Sequence, residues 1–354
     1  MREEKYALCL MLYPLKIFLA ILILGAGLLI FQFISTQFEN ENNGGSHHFS
    51  WPKRIAMDLY MNYRVFIRDR SGFVTMFAHN GKIVYENAVG WANLELKKPM
   101  ELDTKMRFAS MTKPVTAVAA LILIENQKLD LDDPVSKYIP EYKNLTVSKN
   151  ESLSADGSFN TEPIKAPLKV RHLLTFSSGI GPGYTPSSDL HQYWLNNGLR
   201  EQPTGGLAER IEHLASLPLF ENPGSKWRYG SSADVLARVV EVVAKVPFDV
   251  FLEENIFKPL EMNDTHFLHA ISNQDDLAVV YTQSKSKDLV RAPLQIDSDW
   301  NEGGSGLVST AGDYMRFALM LWNRGEYAGV RILSEEMIAN MIHPHVGAGV
   351  FESR

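Results

Sequence analysis

Cysteine is nearly absent from this 354-residue chain, which has only Cys9. A single thiol cannot form an intrachain disulfide, and zinc sites built from four cysteines, or from two cysteines and two histidines, are excluded. Positive charge is also limited, because 35 lysines and arginines stand against 41 acidic residues without a long basic run. Nucleic-acid-binding proteins normally present a concentrated positive face, so no nucleic acid is expected among the partners.

Three frequent motifs of hydrolases and nucleotide-binding proteins are missing as well. No serine has glycine both two residues before and two residues after it, so the nucleophile elbow of α/β-hydrolases is absent. The chain contains no H-E-x-x-H and no G-x-x-x-x-G-K-[ST]. We therefore expect neither a metal nor another cofactor. Cys9 lies beside a long apolar segment, which excludes it as the nucleophile for a soluble substrate.

The composition is that of a folded globular protein, with 45% hydrophobic and 21% charged residues. The most biased stretch is near the start, where residues 17–31 carry no charge. As a helix, residues 17–34 would span roughly 27 Å, close to the thickness of a bilayer's hydrocarbon core. We predict that residues 17–35 form an uncleaved transmembrane signal anchor. The alternatives are a cleaved signal peptide and a buried core helix.

The charges around this segment predict its orientation. Lysine and arginine lie close to its amino-terminal side, whereas the other side begins with acidic residues. By the positive-inside rule, residues 1–16 stay in the cytoplasm and the rest of the chain is exported. Residues 36–51 are polar and contain a glycine pair, which predicts a flexible tether. Residues 52–354 are then a catalytic domain on the extracytoplasmic side of the membrane, and the membrane is one of its partners.

Hydrophobic patterns predict a mixed α and β fold for this domain. Asn80-Gly81 between two apolar runs predicts a hairpin of residues 72–78 and 82–89. Residues 115–124 are apolar on nearly every side, which predicts a buried central helix. The polar residues 148–163 predict a surface insertion. Residues 179–206 predict a long loop that borders a cleft. Further helices are predicted within residues 129–139, 170–175, 235–246, 314–322 and 335–342.

The pattern Ser-x-x-Lys occurs three times, and its context separates the three. Ser50 lies in the tether and Ser284 in a polar run, whereas Ser110 stands at the start of the buried helix. Residues three apart share a face of a helix, which places the Lys113 amine beside the Ser110 hydroxyl. The helix dipole is positive where an oxyanion would develop, and the amine could serve as a base. The alternative is that Ser110 only caps the helix.

A tyrosine could complete this pair, and Tyr-x-Asn or Tyr-x-Ser begins at Tyr60, Tyr85, Tyr142 and Tyr229. Only Tyr229-Gly230-Ser231 lies between a turn and the start of a helix, where a phenol oxygen can point into a cleft. Beside a lysine, such a phenol can act as a general base. Ser231 and Asp234 also fit a capping box, which is a purely structural explanation of both residues.

Five runs of the chain, in order, resemble the serine β-lactamase-related family, which includes class C β-lactamases, family VIII esterases and D-amino-acid peptidases. They are FASMTKPVTAVAAL (108–121), LDLDDPVSKYIPEY (129–142), VRHLLTFSSGI (170–180), NPGSKWRYGSSADVLARVVE (222–241) and GGSGLVSTAGDYMRFALMLWN (303–323). The resemblance extends from about residue 73 to about residue 343. It implies an α+β fold in which a helical subdomain lies against an antiparallel sheet flanked by helices, with the site between them.

The resemblance also implies roles for four residues. Ser110 would be the acylated nucleophile and Lys113 its partner. Tyr229 would be the base of the second motif, and Ser231 would line the substrate pocket. At position 176 this chain has phenylalanine where many relatives have histidine, which we interpret as a packing difference.

A larger departure concerns the last motif of the family, Lys or His-x-Gly on a sheet strand, which is missing from its expected place. His345-Val346-Gly347 has the right letters but follows the last predicted helix too closely, so we interpret it as a coincidence. Relatives continue with further strands and a closing helix. We therefore expect a C-terminally incomplete copy of the fold that is a poor catalyst and prone to association.

Three functions remain open from the sequence. The first is a membrane-anchored serine hydrolase that forms an acyl-enzyme with a small ester, amide or D-amino-acid peptide. The second is a β-lactamase or penicillin-binding protein, although Ser231, where an asparagine would favour this function, leans away from it. The third is a catalytically impaired binding protein on the same scaffold. Substrate identity and oligomeric state do not follow from these residues.

Overall fold

The computed structural model describes residues 49–181, 188–200, 205–271, 273–292, 300–347 and 350. None of the helices in those ranges has the length and apolar character needed to cross a membrane. The predicted anchor at residues 17–35 and nearly all of the predicted tether lie outside the described residues, so both stay predictions. The first described helix begins at Trp51, at the end of the stretch predicted to be tether.

The described residues form both helices and antiparallel strands, as the mixed pattern predicts. The helices are α1 (Trp51–Phe66), α2 (Thr112–Glu125), α3 (Val170–Leu174), α4 (Asp189–Trp194), α5 (Leu207–Leu214), α6 (Ser232–Ala244), α7 (Phe248–Leu252), α8 (Ala311–Trp322) and α9 (Glu335–Ile342). The strands are β1 (Gly72–His79), β2 (Lys82–Asn93), β3 (Lys98–Pro99), β4 (Met106–Arg107), β5 (Thr146–Leu153), β6 (Phe159–Pro163), β7 (His266–Phe267), β8 (Tyr281–Gln283), β9 (Leu289–Arg291), β10 (Leu307–Ser309), β11 (Glu326–Tyr327) and β12 (Val330–Arg331).

The predicted hairpin is confirmed as β1 and β2, which pair antiparallel and are followed by β3 in the same sheet. Asn80 and Gly81 both have positive φ, as a two-residue hairpin turn of the primed type requires. Helix α1 packs on this hairpin through Ala56 and Met61, which are buried.

The outer face of α1, formed by Trp51, Ile55, Leu59 and Phe66, is exposed in the described part of the chain. The first three of these side chains are four residues apart and Phe66 follows seven residues, or nearly two turns, later, so the four form one apolar stripe along the helix.

The predicted central helix is confirmed as α2, which is buried along most of its length. Its alanines, valines and leucines pack against α6, whose buried face is rich in valine. Because the two helices pack against each other, the start of α2 and the start of α6 are held at a fixed relative position. Ser110 precedes the first of these helices and Tyr229 precedes the second, so this packing brings the two segments together.

A three-stranded sheet of β4, β10 and β7 carries the glycine-rich run 303–306 into the same region. Gly303 passes so close to α6 that a Cβ built on it would lie 2.5 Å from the Ala233 carbonyl oxygen and 2.6 Å from the Ala237 Cβ. Only glycine permits this approach of one backbone to another.

The surface insertion predicted at residues 148–163 takes the form of an antiparallel hairpin, β5 and β6, most of whose residues are exposed or half-buried. Another sequence expectation is wrong. Residues 179–206 are not one long loop, because α4 and a π-helical segment, Leu195–Arg200, lie within them. In α4 Trp194 is fully buried and its indole N–H donates to the Pro218 carbonyl, which anchors α4 to the segment that follows α5.

Candidate active site

Ser110 lies in the short 3₁₀ turn Ala109–Met111 that leads directly into α2. Ala109 has φ +44°, a left-handed conformation that is costly for a residue with a Cβ. The turn is also held by β10, because the backbone N–H of Phe108 donates to the Leu307 carbonyl at 2.9 Å. Strained backbone conformations persist where the surroundings impose them, and here the strain falls on the residue before the candidate nucleophile.

The structure brings Ser110, Lys113 and Tyr229 into one cluster of partly buried side chains. The Ser110 Oγ and the Tyr229 hydroxyl are 2.6 Å apart, and the Lys113 Nζ donates to the Ser110 Oγ at 3.2 Å. The Lys113 Nζ also lies 4.6 Å from the centre of the Tyr229 ring. These are the distances that a nucleophile and its base require.

Tyr229 is fixed by the residues on both sides of it. The Phe176 ring stacks on the Tyr229 ring at a centroid distance of 5.8 Å. The backbone N–H of Arg228 donates to the Phe176 carbonyl at 2.8 Å. Gly230 allows the loop to approach residue 180, because a Cβ on Gly230 would lie 2.1 Å from the Ile180 oxygen. Phe176, expected to be a packing difference, thus contacts the tyrosine of the site.

The competing serines and tyrosines lie in other parts of the structure. Ser50 directly precedes α1, and Ser284 lies in the turn between β8 and β9. Tyr60 is on the exposed side of α1. Tyr85 is buried in β2 and its hydroxyl donates to Asp58. Tyr142 is buried, its hydroxyl donates to the Ile211 carbonyl at 3.0 Å, and burial raises its pKa.

Ser231 is the N-cap residue of α6 and is buried, but its side chain makes no capping hydrogen bond. The structural explanation of Ser231 and Asp234 as a capping box is therefore wrong. A Cβ built on Gly181 would lie 3.4 Å from the Ser231 Oγ, so Ser231 faces the backbone of that glycine. The neighbouring residues 182–187 lie outside the described part of the chain.

Sequence reasoning missed a second layer of residues behind Lys113. The Lys113 Nζ donates to the Gly304 carbonyl at 2.7 Å. The Gly304 N–H donates to an oxygen of Asp234 at 2.8 Å, and the Thr116 hydroxyl donates to the Gly303 carbonyl at 2.7 Å. The only signal for these contacts in the sequence was the glycine pair at positions 303 and 304, which indicates close backbone approach.

Asp234 in this layer has a raised pKa. Burial, with a further contribution from Glu302, raises the pKa of Asp234 to about 6, although Arg210 and the Gly304 N–H act in the opposite direction. Arg210 is itself buried, and burial lowers its pKa. Its guanidinium lies over the Trp300 ring at 4.3 Å.

His345 lies beyond the end of α9, where its Nε2 donates to the Asn340 carbonyl at 2.7 Å. Val346 and Gly347 line a cavity of about 340 Å³, together with Ala117 on α2 and His172 on α3. Within the described residues, no group of three or more histidine, cysteine, aspartate or glutamate side chains could hold a metal ion.

A serine, a lysine and a tyrosine arranged in this way at the start of a buried helix form the kind of site that acyl-enzyme serine hydrolases use. Comparison with known proteins agrees: the sequence pattern of the family described as beta-lactamase matches residues 60–353, and the chain belongs to this family.

Two curated relatives show how far the likeness extends. Protein Rv1367c of Mycobacterium tuberculosis is 32% identical over 275 residues, which cover 77% of this chain and 67% of that protein. Esterase EstB of Burkholderia gladioli is 31% identical, over 69% of this chain and 64% of its own length. The chain thus spans about two thirds of the length of the curated relatives that it matches.

A solved structure supports the same fold. EstCE1, described as a hydrolase with promiscuous acyltransferase activity, superimposes with a TM-score of 0.67 and 27% sequence identity. The superposition covers 82% of this chain and 77% of the EstCE1 chain. The β-lactamase-like fold with mixed α and β content is therefore established, whereas the substrate has to be argued from the site.

Proposed function

We propose that this protein is a serine hydrolase that forms an acyl-enzyme on Ser110 with a small ester, amide or D-amino-acid peptide. The observation that carries the proposal is the 2.6 Å distance between the Ser110 Oγ and the Tyr229 hydroxyl, with the Lys113 Nζ 3.2 Å from the same serine oxygen. An esterase and a hydrolase among the similar proteins support this class of reaction.

In the first half of the reaction, Tyr229 acts as its phenolate beside the Lys113 amine. The Ser110 Oγ attacks the carbonyl carbon of the substrate while its proton passes to the phenolate oxygen, which becomes a neutral phenol. The positive end of the α2 dipole lies next to the forming oxyanion and stabilises it. When the tetrahedral intermediate collapses, the bond to the leaving alcohol or amine breaks. The leaving group takes the proton from Tyr229, and the acyl group stays on Ser110.

In the second half, a water molecule attacks the acyl carbon and Tyr229 accepts a proton from it. Collapse of this intermediate releases the carboxylic acid and returns the proton to Ser110. Lys113 supports both halves, because its amine contacts the serine oxygen and the face of the tyrosine ring. Ser231, two residues after Tyr229, would line the pocket for the substrate.

Three alternatives use the same site. An alcohol could replace water in the second half, which would make the reaction an acyl transfer; the promiscuous acyltransferase activity described for EstCE1 supports this option. A β-lactam or a cell-wall peptide could be the acyl donor. A catalytically impaired binding protein would keep the contacts of Ser110 but form no covalent adduct.

We propose further that residues 17–35 anchor the protein in a membrane as a single-pass segment, with the catalytic domain on the extracytoplasmic side. The support is the uncharged run of residues 17–31 and the excess of lysine and arginine on its amino-terminal side. Extraction of the full chain from membranes tests this proposal. The protein should resist carbonate and dissolve in detergent, and release by carbonate alone would refute it.

Labelling with a fluorophosphonate probe tests the proposed reaction. The full chain should be labelled, and Ser110→Ala should abolish labelling, whereas the matched variant Ser284→Ala should label like the wild type. A panel of short-chain p-nitrophenyl esters, with and without an added alcohol, separates hydrolysis from acyl transfer, and a chromogenic cephalosporin tests the β-lactam alternative. Labelling that survives Ser110→Ala would refute the assignment of the nucleophile.

A further inference from the structure

Asp234 lies in the first turn of α6 and reaches the glycine-rich run before β10. Its carboxylate accepts the Gly304 N–H at 2.8 Å. The carbonyl of the same peptide group, that of Gly303, accepts the Thr116 hydroxyl of α2 at 2.7 Å. The peptide group between Gly303 and Gly304 is therefore held at both ends, by one side chain from each of the two packed helices.

The next carbonyl along the chain, that of Gly304, accepts the Lys113 Nζ at 2.7 Å. The same amine donates to the Ser110 Oγ at 3.2 Å. The position of the lysine amine relative to the serine thus depends on where Gly304 is held. Asp234 fixes that place through a residue that has no side chain of its own.

We propose that Asp234 has two roles in the acyl-enzyme reaction. It is a positioning residue, because its hydrogen bond to Gly304 fixes the carbonyl that accepts from Lys113. Its negative charge is the counter-charge for the Lys113 amine. The inference rests on the proposed function of Ser110. It assigns a reason for the carboxylate at position 234 that a capping role does not supply, since the side chain binds the glycine-rich run instead of the helix terminus.

The charged groups around Asp234 come from each element packed against it. Arg210 on α5 and Lys113 on α2 attract the carboxylate, and Glu302 in the segment before β10 repels it. Tyr142 is a further titratable neighbour, and the negative charge of Asp234 contributes to raising the pKa of its phenol. The carboxylate therefore interacts with two cations, one anion and one neutral phenol.

A charge in this place is costly, because burial raises the pKa of Asp234 to about 6. An asparagine would have the same shape, and its amide oxygen could accept the same Gly304 N–H. A carboxylate differs from that amide in charge, in acceptor strength and in having a second acceptor oxygen where the amide has an NH₂ donor. Among its neighbours, Lys113 is the cation that contacts the nucleophile, so the charge acts where the reaction takes place.

The experiment compares the full-length wild type with Asp234→Asn and Thr116→Val in fluorophosphonate labelling and p-nitrophenyl butyrate hydrolysis from pH 5 to 9. Asp234→Asn removes the charge but keeps the acceptor, whereas Thr116→Val releases the other end of the same peptide group without changing charge. The exposed Asp132, which pairs with Lys169 and Arg171, supplies the control variant Asp132→Asn.

In the wild type, the labelling rate should fall as the pH drops through about 6, where Asp234 takes up a proton. Asp234→Asn should lower kcat/KM on the alkaline plateau by about tenfold to a hundredfold and remove this acid limb. Thr116→Val should lower the plateau but keep the limb, and Asp132→Asn should match the wild type. A wild-type plateau and limb in Asp234→Asn would overturn the proposal.

Amide hydrogen exchange at Gly304 gives a readout that does not need catalysis. The Gly304 N–H should be protected in the wild type and in Asp234→Asn, and should exchange faster in Asp234→Ala. Equal protection in all three proteins would overturn the proposal. Absence of Ser110-dependent labelling in the wild type would instead contradict the proposed function, while the exchange data would still decide the contact between Asp234 and Gly304.

Discussion

Arg228 binds Glu221 with a forked contact directly before the tyrosine of the site. The Arg228 Nε lies 3.0 Å from one carboxylate oxygen of Glu221 and 2.8 Å from the other, and a second guanidinium nitrogen contacts the carboxylate as well. The guanidinium also lies over the Phe220 ring at 4.2 Å. Because Arg228 is adjacent to Tyr229, this contact fixes the backbone from which the tyrosine projects.

Replacing Arg228 by alanine should therefore affect both stability and activity. Several charge-assisted hydrogen bonds to one partly buried carboxylate would be lost, which should lower the free energy of unfolding by about 1–3 kcal/mol. The rate of Ser110 labelling should fall too, because the Tyr229 loop is less constrained. Urea unfolding and labelling kinetics measure the two effects.

The exposed pair of Arg324 and Glu335 provides the control, since its side chains are 72% and 61% accessible. Arg324→Ala should leave both measurements unchanged, because exposed ion pairs contribute little. If Arg228→Ala also left both unchanged, the forked contact would have no role in holding the loop.

Tyr229→Phe and Tyr142→Phe should have opposite effects on rate and stability. Removing the Tyr229 hydroxyl should lower kcat by about 10² to 10⁴ with little loss of stability, since that oxygen is 2.6 Å from the Ser110 Oγ. Removing the Tyr142 hydroxyl breaks a buried hydrogen bond to Ile211, which should cost about 1 kcal/mol of stability and little activity. Ester hydrolysis and urea unfolding of both variants distinguish the two tyrosines, and the reverse pattern would contradict the assignment of Tyr229 as the base.

Gly303→Ala should be one of the most damaging small substitutions in the domain. The new Cβ would lie 2.5 Å from the Ala233 oxygen and 2.6 Å from the Ala237 Cβ, so either α6 or the glycine-rich run has to move. Overpacking of this kind typically costs about 1–3 kcal/mol, and here it also displaces the acceptor of Lys113. Gly312→Ala is the control, because its Cβ would meet nothing nearer than 3.9 Å. Comparable losses in the two variants, measured by urea unfolding, would contradict the close approach at Gly303.

The raised pKa of Asp234 predicts how stability changes with pH. The unfolded chain releases this proton near pH 4 and the folded protein near pH 6, so the folded state holds more protons between these values. This group therefore makes the protein less stable as the pH rises from about 4 to about 6. Asp234→Asn should be close to the wild type in stability near pH 4 and more stable by about 1–3 kcal/mol near pH 7.5. A difference that does not change with pH would show that the Asp234 pKa is not raised.

The long helices and the first hairpin could be predicted from the sequence because each carries a strong local signal. Residues 115–124 are apolar all round, the valines of α6 repeat with helical spacing, and Asn80-Gly81 requires a tight turn. The hairpin of β5 and β6 gave no such signal, since both strands are largely exposed and lack an alternating apolar face. Helix α4 is only six residues long, too short for a periodic pattern to stand out.

One part of the candidate site could likewise be predicted from the sequence, and another part could not. Ser110 and Lys113 are three residues apart, so helix geometry alone predicts their contact. Tyr229 is 119 residues away from Ser110, and its place between a turn and a helix, together with the resemblance to a family, selects it from the four candidate tyrosines. The structure places these residues together, and their catalytic roles stay predictions. The contact of Asp234 with Gly304 could not be predicted, because it joins a side chain to a backbone N–H 70 residues further on.

The outer face of α1 has a practical consequence for every measurement proposed above. Trp51 and Phe66, at the two ends of the stripe, are 73% and 84% accessible in the described part of the chain. Apolar surfaces of this kind favour contact between molecules, so the apparent rate and the apparent unfolding midpoint should vary with protein concentration. Comparisons between variants therefore belong at one fixed, low concentration in mild detergent, where the state of assembly is the same for each protein.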